Sequence, residues 1–308
     1  MPTYTSLNFF EFFTSFPSEE SCEEHLIRVR WPQGMSCATC GPTDFYARLR
    51  TRRAYQCRHC RHFTHPTAGT IFHKTRTPLR AWFLAIFCIA FDKRGLSALQ
   101  LAEQIGVDYN TAWAMLHRIR RAMAKRDCQY KLPGPVEIDE MYMGASEEGS
   151  RGGRGAGQIP IFVAVSFFTP SKSDNELMGF AKMRVVEHIN EESLVSFMRD
   201  SVFPEAVIRS DGYSTYKSLP KYGFQHEPIV VGHRKKAHII LPHVHTYISN
   251  LRSFVLGTYH GLDELHLQQY LDEYCYRFNR RRHRQELFDR LLLACLEMPE
   301  TSFSALTQ

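Results

Sequence analysis

The sequence predicts an α/β chain: a mixed sheet flanked by helices, preceded by a small cysteine-held module and a pair of short helices. Three observations carry this reading. Val136-Glu137-Ile138-Asp139-Glu140 alternates apolar and acidic residues, the pattern of a strand with one wet face. Ala206-Val207-Ile208-Arg209-Ser210 is a second apolar stretch, ending at Asp211-Gly212. Cys37, Cys40, Cys57 and Cys60 fall in two C-x-x-C pairs.

The 308 residues have room for two or three domains and a sizeable core. Lys and Arg together number 38 against 32 acids, a net charge of +6 that is unevenly placed along the chain. Nine cysteines, four of them paired as C-x-x-C, suit a reducing compartment and a metal site better than a disulfide framework. Residues 1–16 are aromatic-rich but have neither a basic start nor an unbroken apolar run, so no signal peptide is expected. The most apolar run, Ala81 to Phe91, is too short to span a bilayer. The expectation is a cytoplasmic chain with no membrane partner.

Taken in order, residues 1–30 predict a helical lead-in, with Ser18 as a helix start and Cys22 as an apolar filler. Residues 31–75 predict a zinc ribbon. Each cysteine pair is a knuckle, the segment between them is long enough for a hairpin, and Phe45, Tyr46, Tyr55 and Gln56 alternate as ribbon strands do. Four thiolates close a tetrahedral Zn2+ site and leave no open position, so this zinc is expected to be structural. His59, inside the second knuckle, is read as a surface residue. Arg48, Arg50, Arg52, Arg53, Arg58 and Arg61 surround the knuckles and suit a phosphate backbone, or equally a solvated charged face.

Residues 76–130 predict a buried helix over 78–91 and then a helix-turn-helix. Ser97 and Gln100 have capping-box spacing, Ile105-Gly106-Val107 makes the turn, and Asp108 caps a longer helix from Tyr109. That second helix would bury Trp113, Leu116 and Ile119. It would present Asn110, Thr111, Arg118 and Arg121 to DNA, although an ordinary helical hairpin fits the same pattern. Lys131 to Pro135 punctuates the chain, and residues 134–295 follow as a second domain, with 296–308 as a tail.

Within that domain the pattern predicts strands over 136–142, 159–168, 177–186 and 206–210. Helices are predicted over 191–201, over 241–257 (ended by Gly257) and over 266–279. Three strands, a helix and a further strand with acids at strand positions fit an RNase H-like α/β domain. Taken singly, each aspartate could be an ordinary strand-end acid. Together, Asp139 and Asp211 suit a hard divalent cation bound also by substrate phosphate oxygens.

The order of several motifs resembles one known family. These are the zinc ribbon, Thr67 to Phe72, Lys93 to Gln100, Tyr109 to Trp113, Glu137-Ile138-Asp139-Glu140 and Ser210-Asp211-Gly212-Tyr213. They continue with His245 through Asn250-Leu251-Arg252, Leu256 to Gly261, and Tyr270 to Tyr274 with Arg277 to Arg280. From about residue 20 to 295 the chain resembles bacterial insertion-sequence transposases of the ISXO2-like group, within the DDE superfamily. The resemblance implies Mg2+ or Mn2+ held by Asp139, Asp211 and a third residue. Asn250 is the expected third ligand, where the plain pattern has a carboxylate, and Glu273 is the second choice. His245 and Arg252 are possible assisting residues, and Glu140 is at most supporting. The resemblance also implies double-stranded DNA as partner, both element ends and target, and a homodimer or larger assembly on it in the bacterial nucleoid. Two other readings keep the fold: a transposase-derived regulator without activity, and a nuclease that cuts without joining. A purely structural zinc protein would leave the strand acids unexplained.

Overall fold

The computed structural model describes residues 7–42, 46–49, 54–144, 158–171, 174–229, 240–259, 262 and 264–307. Arg50, Arg52, Arg53 and the loop 145–157 lie outside them. The chain divides into two compact units, one of residues 1–125 and 283–308, the other of residues 126–282.

In the first unit, α1 (Phe9–Ser15) and α2 (Glu19–Arg30) open on capping boxes at Asn8 and Ser18. Two small sheets follow: β1 (Ser36–Cys37) with β2 (Gly41–Pro42), and β3 (Tyr46–Leu49), β4 (Ala54–Cys57) and β5 (Phe63–Thr64). The expected hairpin is present, β3 pairing antiparallel with β4 from Tyr46↔Cys57 to Leu49↔Ala54. The helix α3 (Leu79–Phe91) is apolar almost all round and correspondingly buried. It packs on α2 and on a late element, α9 (Leu287–Glu297). There Phe12, Phe16, Phe83 and Phe288 form one aromatic cluster, with Phe16–Phe83 centroids 5.0 Å apart and Phe83–Phe288 5.5 Å apart. The apolar face of α9 is thus spent on the first unit, and residues 283–295, expected in the second domain, fold with the first.

The helix-turn-helix elements form as expected. Ser97 Oγ accepts the N–H of Gln100 at the start of α4 (Ala98–Ile105), and Gly106 takes the left-handed turn at φ 70°. Asp108 accepts the N–H of Thr111 at the start of α5 (Tyr109–Asp127).

The second unit holds a five-stranded sheet built from β6 (Val136–Met143), β7 (Ile159–Phe168), β8 (Leu177–Val185), β9 (Val207–Ser210) and β10 (Gln225–Pro228). Its order is β10-β9-β6-β7-β8. β6, β7 and β8 run antiparallel in sequence, whereas β9 pairs parallel with β6 and β10 parallel with β9. That order and those directions are the RNase H-like arrangement. One face packs on α6 (Glu191–Ser201) and a 3-10 segment (Ser214–Tyr222), through Val136, Ile138, Phe162, Phe197 and Tyr216. The other packs on α7 (Pro242–Thr258) and α8 (Leu267–Asn279), through Met141, Val163, Val165, Val244, Tyr247, Leu251 and Leu271. α7 passes its expected stop at Gly257 and ends at Thr258. Asp127 and Arg280, near the two ends of this unit, are ion-paired at 2.5 Å, and Asn279 also donates to Asp127.

One expectation fails on this sheet. The acidic side of β6 is not a wet face, because α7 covers it: Glu137 is 1% exposed. Alternation marks the two faces of a strand but is silent about a helix supplied a hundred residues later.

Candidate functional site

The four expected zinc ligands converge. The Sγ atoms of Cys37, Cys40, Cys57 and Cys60 all lie within 4.8 Å of one another, with Cys37–Cys60 at 3.4 Å and Cys40–Cys57 at 3.6 Å. A tetrahedral Zn2+ with bonds of about 2.3 Å needs sulfurs about 3.8 Å apart, so the donor set fits that ion. The N–H groups of the knuckles aim at the sulfurs. Those of Cys40 and then Thr39 hold the Cys37 thiol down to about 6 and that of Cys60 lowers Cys57, whereas burial pushes Cys40 up to about 12 and Cys60 is raised as well, so two of the four are drawn toward the thiolate a metal takes. Arg58 and His59 are exposed on the second knuckle.

The basic helix α5 is less open than its composition suggests. His117 and Arg120 are buried. Arg118 donates to the carbonyl of Thr301, Arg121 to that of Ala305 and Lys125 to that of Glu297. Phe303 packs edge-on against Trp113, 5.9 Å between centroids. The C-terminal segment thus engages Arg118 and Arg121, two of the side chains expected to contact DNA. The N-terminal end of the helix stays accessible. Asn110, Thr111 and Arg118 line a polar cleft of about 620 Å3 together with Lys74 and Arg76.

In the second unit, β6 and β9 run parallel with Glu137 beside Arg209. Asp139 and Asp211 each lie two residues beyond that pair, the last of the two strands, with Asp139 still on β6 and Asp211 just past the end of β9. Asp139 is 15% exposed, and one of its oxygens accepts the N–H of Glu140. Asp211 accepts the N–H of Tyr213 at 3.0 Å, an Asx turn that fixes the carboxylate just beyond the strand. The Tyr142 hydroxyl is held above its usual range, first by burial and then by Tyr213 and Asp139. Glu140, on the opposite strand face, accepts a 2.6 Å hydrogen bond from the buried Tyr216 hydroxyl.

The helix α7 lies over these carboxylates and is anchored by a residue to which the sequence reading gave no role. Glu137 accepts the N–H groups of His243 and Val244 at 2.8 and 2.9 Å, satisfying donors that the start of a helix leaves open. Burial pushes its carboxyl up, against the pull of those N–H groups and of His243. The only signal in the sequence was an acid two residues before Asp139, and nothing there pointed to the helix. His243 in turn reaches Glu176 at 3.2 Å, which pairs with Arg209.

One turn into α7, His245 Nδ1 stands 3.6 Å from Asp139 Oδ2. Asn250 and Arg252 are exposed further along the helix. Glu273 is fully buried on α8, where it pairs with Arg277 at 2.8 Å and takes the Tyr259 hydroxyl at 3.4 Å. Among the described residues, the four cysteines are the one group of three or more Cys, His, Asp or Glu side chains drawn within 4.8 Å of one another. The trio of Asp139, Asp211 and His245 stands wider than that.

A mixed sheet of this order, joined to a four-cysteine ribbon, is the architecture of an RNase H-like transposase chain. Residues 131–279 match the ISXO2-like transposase domain and residues 17–63 the transposase zinc-ribbon domain, and the chain belongs to that transposase family. It is similar to an uncharacterized protein in transposable element ISH50 of Halobacterium salinarum, 28% identical over 237 residues, 71% of this chain and 76% of the relative. Among solved structures, the Mos1 mariner paired end complex with Mn is a distant likeness. It aligns with 68% of this chain and 76% of its own, at 12% identity and a TM-score of 0.28. No described helix is long and apolar enough to cross a membrane.

Proposed function

We propose that this transposase binds the ends of its own insertion sequence and carries out Mg2+- or Mn2+-dependent strand cleavage followed by strand transfer. The observation that supports the reading is that Asp139 and Asp211 each follow by two residues the last paired position of adjacent parallel strands, with His245 of the helix anchored by Glu137 set against Asp139. Two carboxylates offer a hard divalent cation two of its oxygen ligands, and α7 offers a third donor from His245 or Asn250. When bound, such an ion supplies charge stabilisation at a phosphodiester and lowers the pKa of water.

The chain's own residues do the positioning. The Asx turn at Asp211 and the Glu140 N–H at Asp139 hold the two carboxylates in place before substrate arrives. Glu137 fixes α7, and with it His245, over Asp139. In the first unit, the ribbon arginines and the cleft of Lys74, Arg76 and Asn110 suit a phosphate backbone. Joining needs two element ends held together, which calls for a homodimer or larger assembly on double-stranded DNA.

The test is strand transfer on linear DNA bearing the element ends in Mg2+ or Mn2+, comparing the parent chain with Asp139→Asn and Asp211→Asn. Joining by the parent and a loss of at least a thousandfold in either variant is expected. Cutting without joining would make the chain a nuclease. DNA binding without either reaction would make it a regulator, a reading favoured by the lack of a carboxylate on the described part of α7 facing the sheet.

A further inference from the structure

The donor that α7 sets against Asp139 is an imidazole. Two anchors determine this. Glu137 holds the first turn of the helix through the N–H groups of His243 and Val244. Two residues along the same strand, Asp139 Oδ2 then meets His245 Nδ1 at 3.6 Å. Asn250 follows five residues later, about 7.5 Å further along the helix axis and about 140° around it. Once the first turn is pinned, rotating α7 to bring Asn250 to Asp139 would break the Glu137 anchor. It would also expose Val244, Tyr247 and Leu251, all 0% exposed.

We infer that His245 supplies the third ligand of the Asp139–Asp211 site, and that this nitrogen donor biases the site toward Mn2+ over Mg2+. The inference rests on the reading above that the two aspartates hold a divalent cation. Its physical basis is ligand character. Mg2+ is small and hard and takes oxygen donors almost exclusively; Mn2+ also favours oxygen donors but, as a first-row transition ion, accepts an imidazole nitrogen more readily than Mg2+ does. The Asp139 and His245 side chains are partly exposed, 15% and 30%, and so open to an ion from solvent. Arg252 lies seven residues after His245, two helical turns on and on the same stripe of α7, where a cation suits a phosphate oxygen beside the metal.

The test is Mn2+ binding by electron paramagnetic resonance on the zinc-loaded full chain without DNA, with pulsed detection of 14N coupling and Mg2+ as competitor. The parent should bind Mn2+ with a directly bonded nitrogen. His245→Gln should lose that coupling and at least tenfold in Mn2+ affinity. His245→Glu should bind Mn2+ without nitrogen, and Mg2+ should compete at least tenfold better than in the parent. Zinc content and circular dichroism report folding of each variant. Mn2+ binding that depends on Asp139 but shows no nitrogen, or is unmoved by His245→Gln, overturns this inference and leaves the two-aspartate reading standing; Asn250→Ala would then be the variant that weakens it. Binding that Asp139→Asn does not affect, or no binding at all, overturns the two-aspartate reading and the inference with it.

Discussion

The carboxylate of Glu137 closes the N-terminus of α7 by accepting the N–H of Val244 at 2.9 Å, alongside that of His243 at 2.8 Å. A side chain on the strand next to the candidate catalytic aspartate therefore sets the position of the helix above it. Glu137→Ala should cost about 1–3 kcal/mol, since it leaves two helix N–H groups without their acceptor. Glu137→Gln should cost less, because an amide oxygen still accepts one of them. Urea unfolding of the two variants against the parent measures the difference. Equal stability of all three would show that the cap contributes nothing.

Asp272, partly open to solvent on α8, gives a pH signature. Burial pushes its carboxyl up from the ordinary 3.8 to about 7, although Gln268 donates to it at 2.8 Å. The folded chain thus holds this proton more tightly than the unfolded one. The associated stability is fully present below pH 3.8 and is lost as pH rises through about 7. The ceiling is about 4 kcal/mol, reduced by the partial exposure. Asp272→Asn should flatten the stability profile between those limits, as read by thermal melts across the range. An unchanged slope would assign it to other groups.

The contacts of Arg118 and Arg121 with the Thr301 and Ala305 carbonyls make a prediction about DNA. Removing residues 301–308 should release both guanidinium groups to phosphates. The plot of log affinity against log salt should then steepen by about 2, at roughly 0.9 per phosphate contact. A slope that does not change would mark the two arginines as structural braces for the C-terminal segment.

Zinc removal separates the two units. Chelation, or Cys60→Ser, should release one equivalent of zinc and unfold the ribbon around Cys37 and Cys57, because metal binding and folding of such a site are one equilibrium. The five-stranded sheet contains none of these residues. Hydrogen exchange should therefore show lost protection over β4 and unchanged protection over β6 and β7.

Much of this was legible in the sequence because the signals are local. Paired cysteines, the Ser97 cap, the Gly106 turn, the Asp108 cap and the strand runs each announce themselves within a few residues, and each formed as expected. What was not legible depends on partners far along the chain. Glu137 reads as a solvent-facing acid until α7 arrives from beyond residue 240. Arg118 reads as a free helix cation until the segment after residue 297 arrives to engage it. Helical spacing showed that His245 and Asn250 lie on different sides of α7. Which side meets the sheet is decided by the Glu137 anchor and by Val244, Tyr247 and Leu251 in the core.

The return of α9 to the aromatic cluster of Phe12, Phe16 and Phe83 has a consequence for biosynthesis. Unit two is an insertion between the two halves of unit one, and its own ends are tied by Asp127 and Arg280. On the ribosome, the inserted unit can complete its sheet and tie its ends while the earlier half still lacks Phe288. The zinc-bearing unit therefore matures last, although it is translated first, and a transcript cut short before residue 287 would yield the RNase H-like unit beside an unfinished ribbon unit.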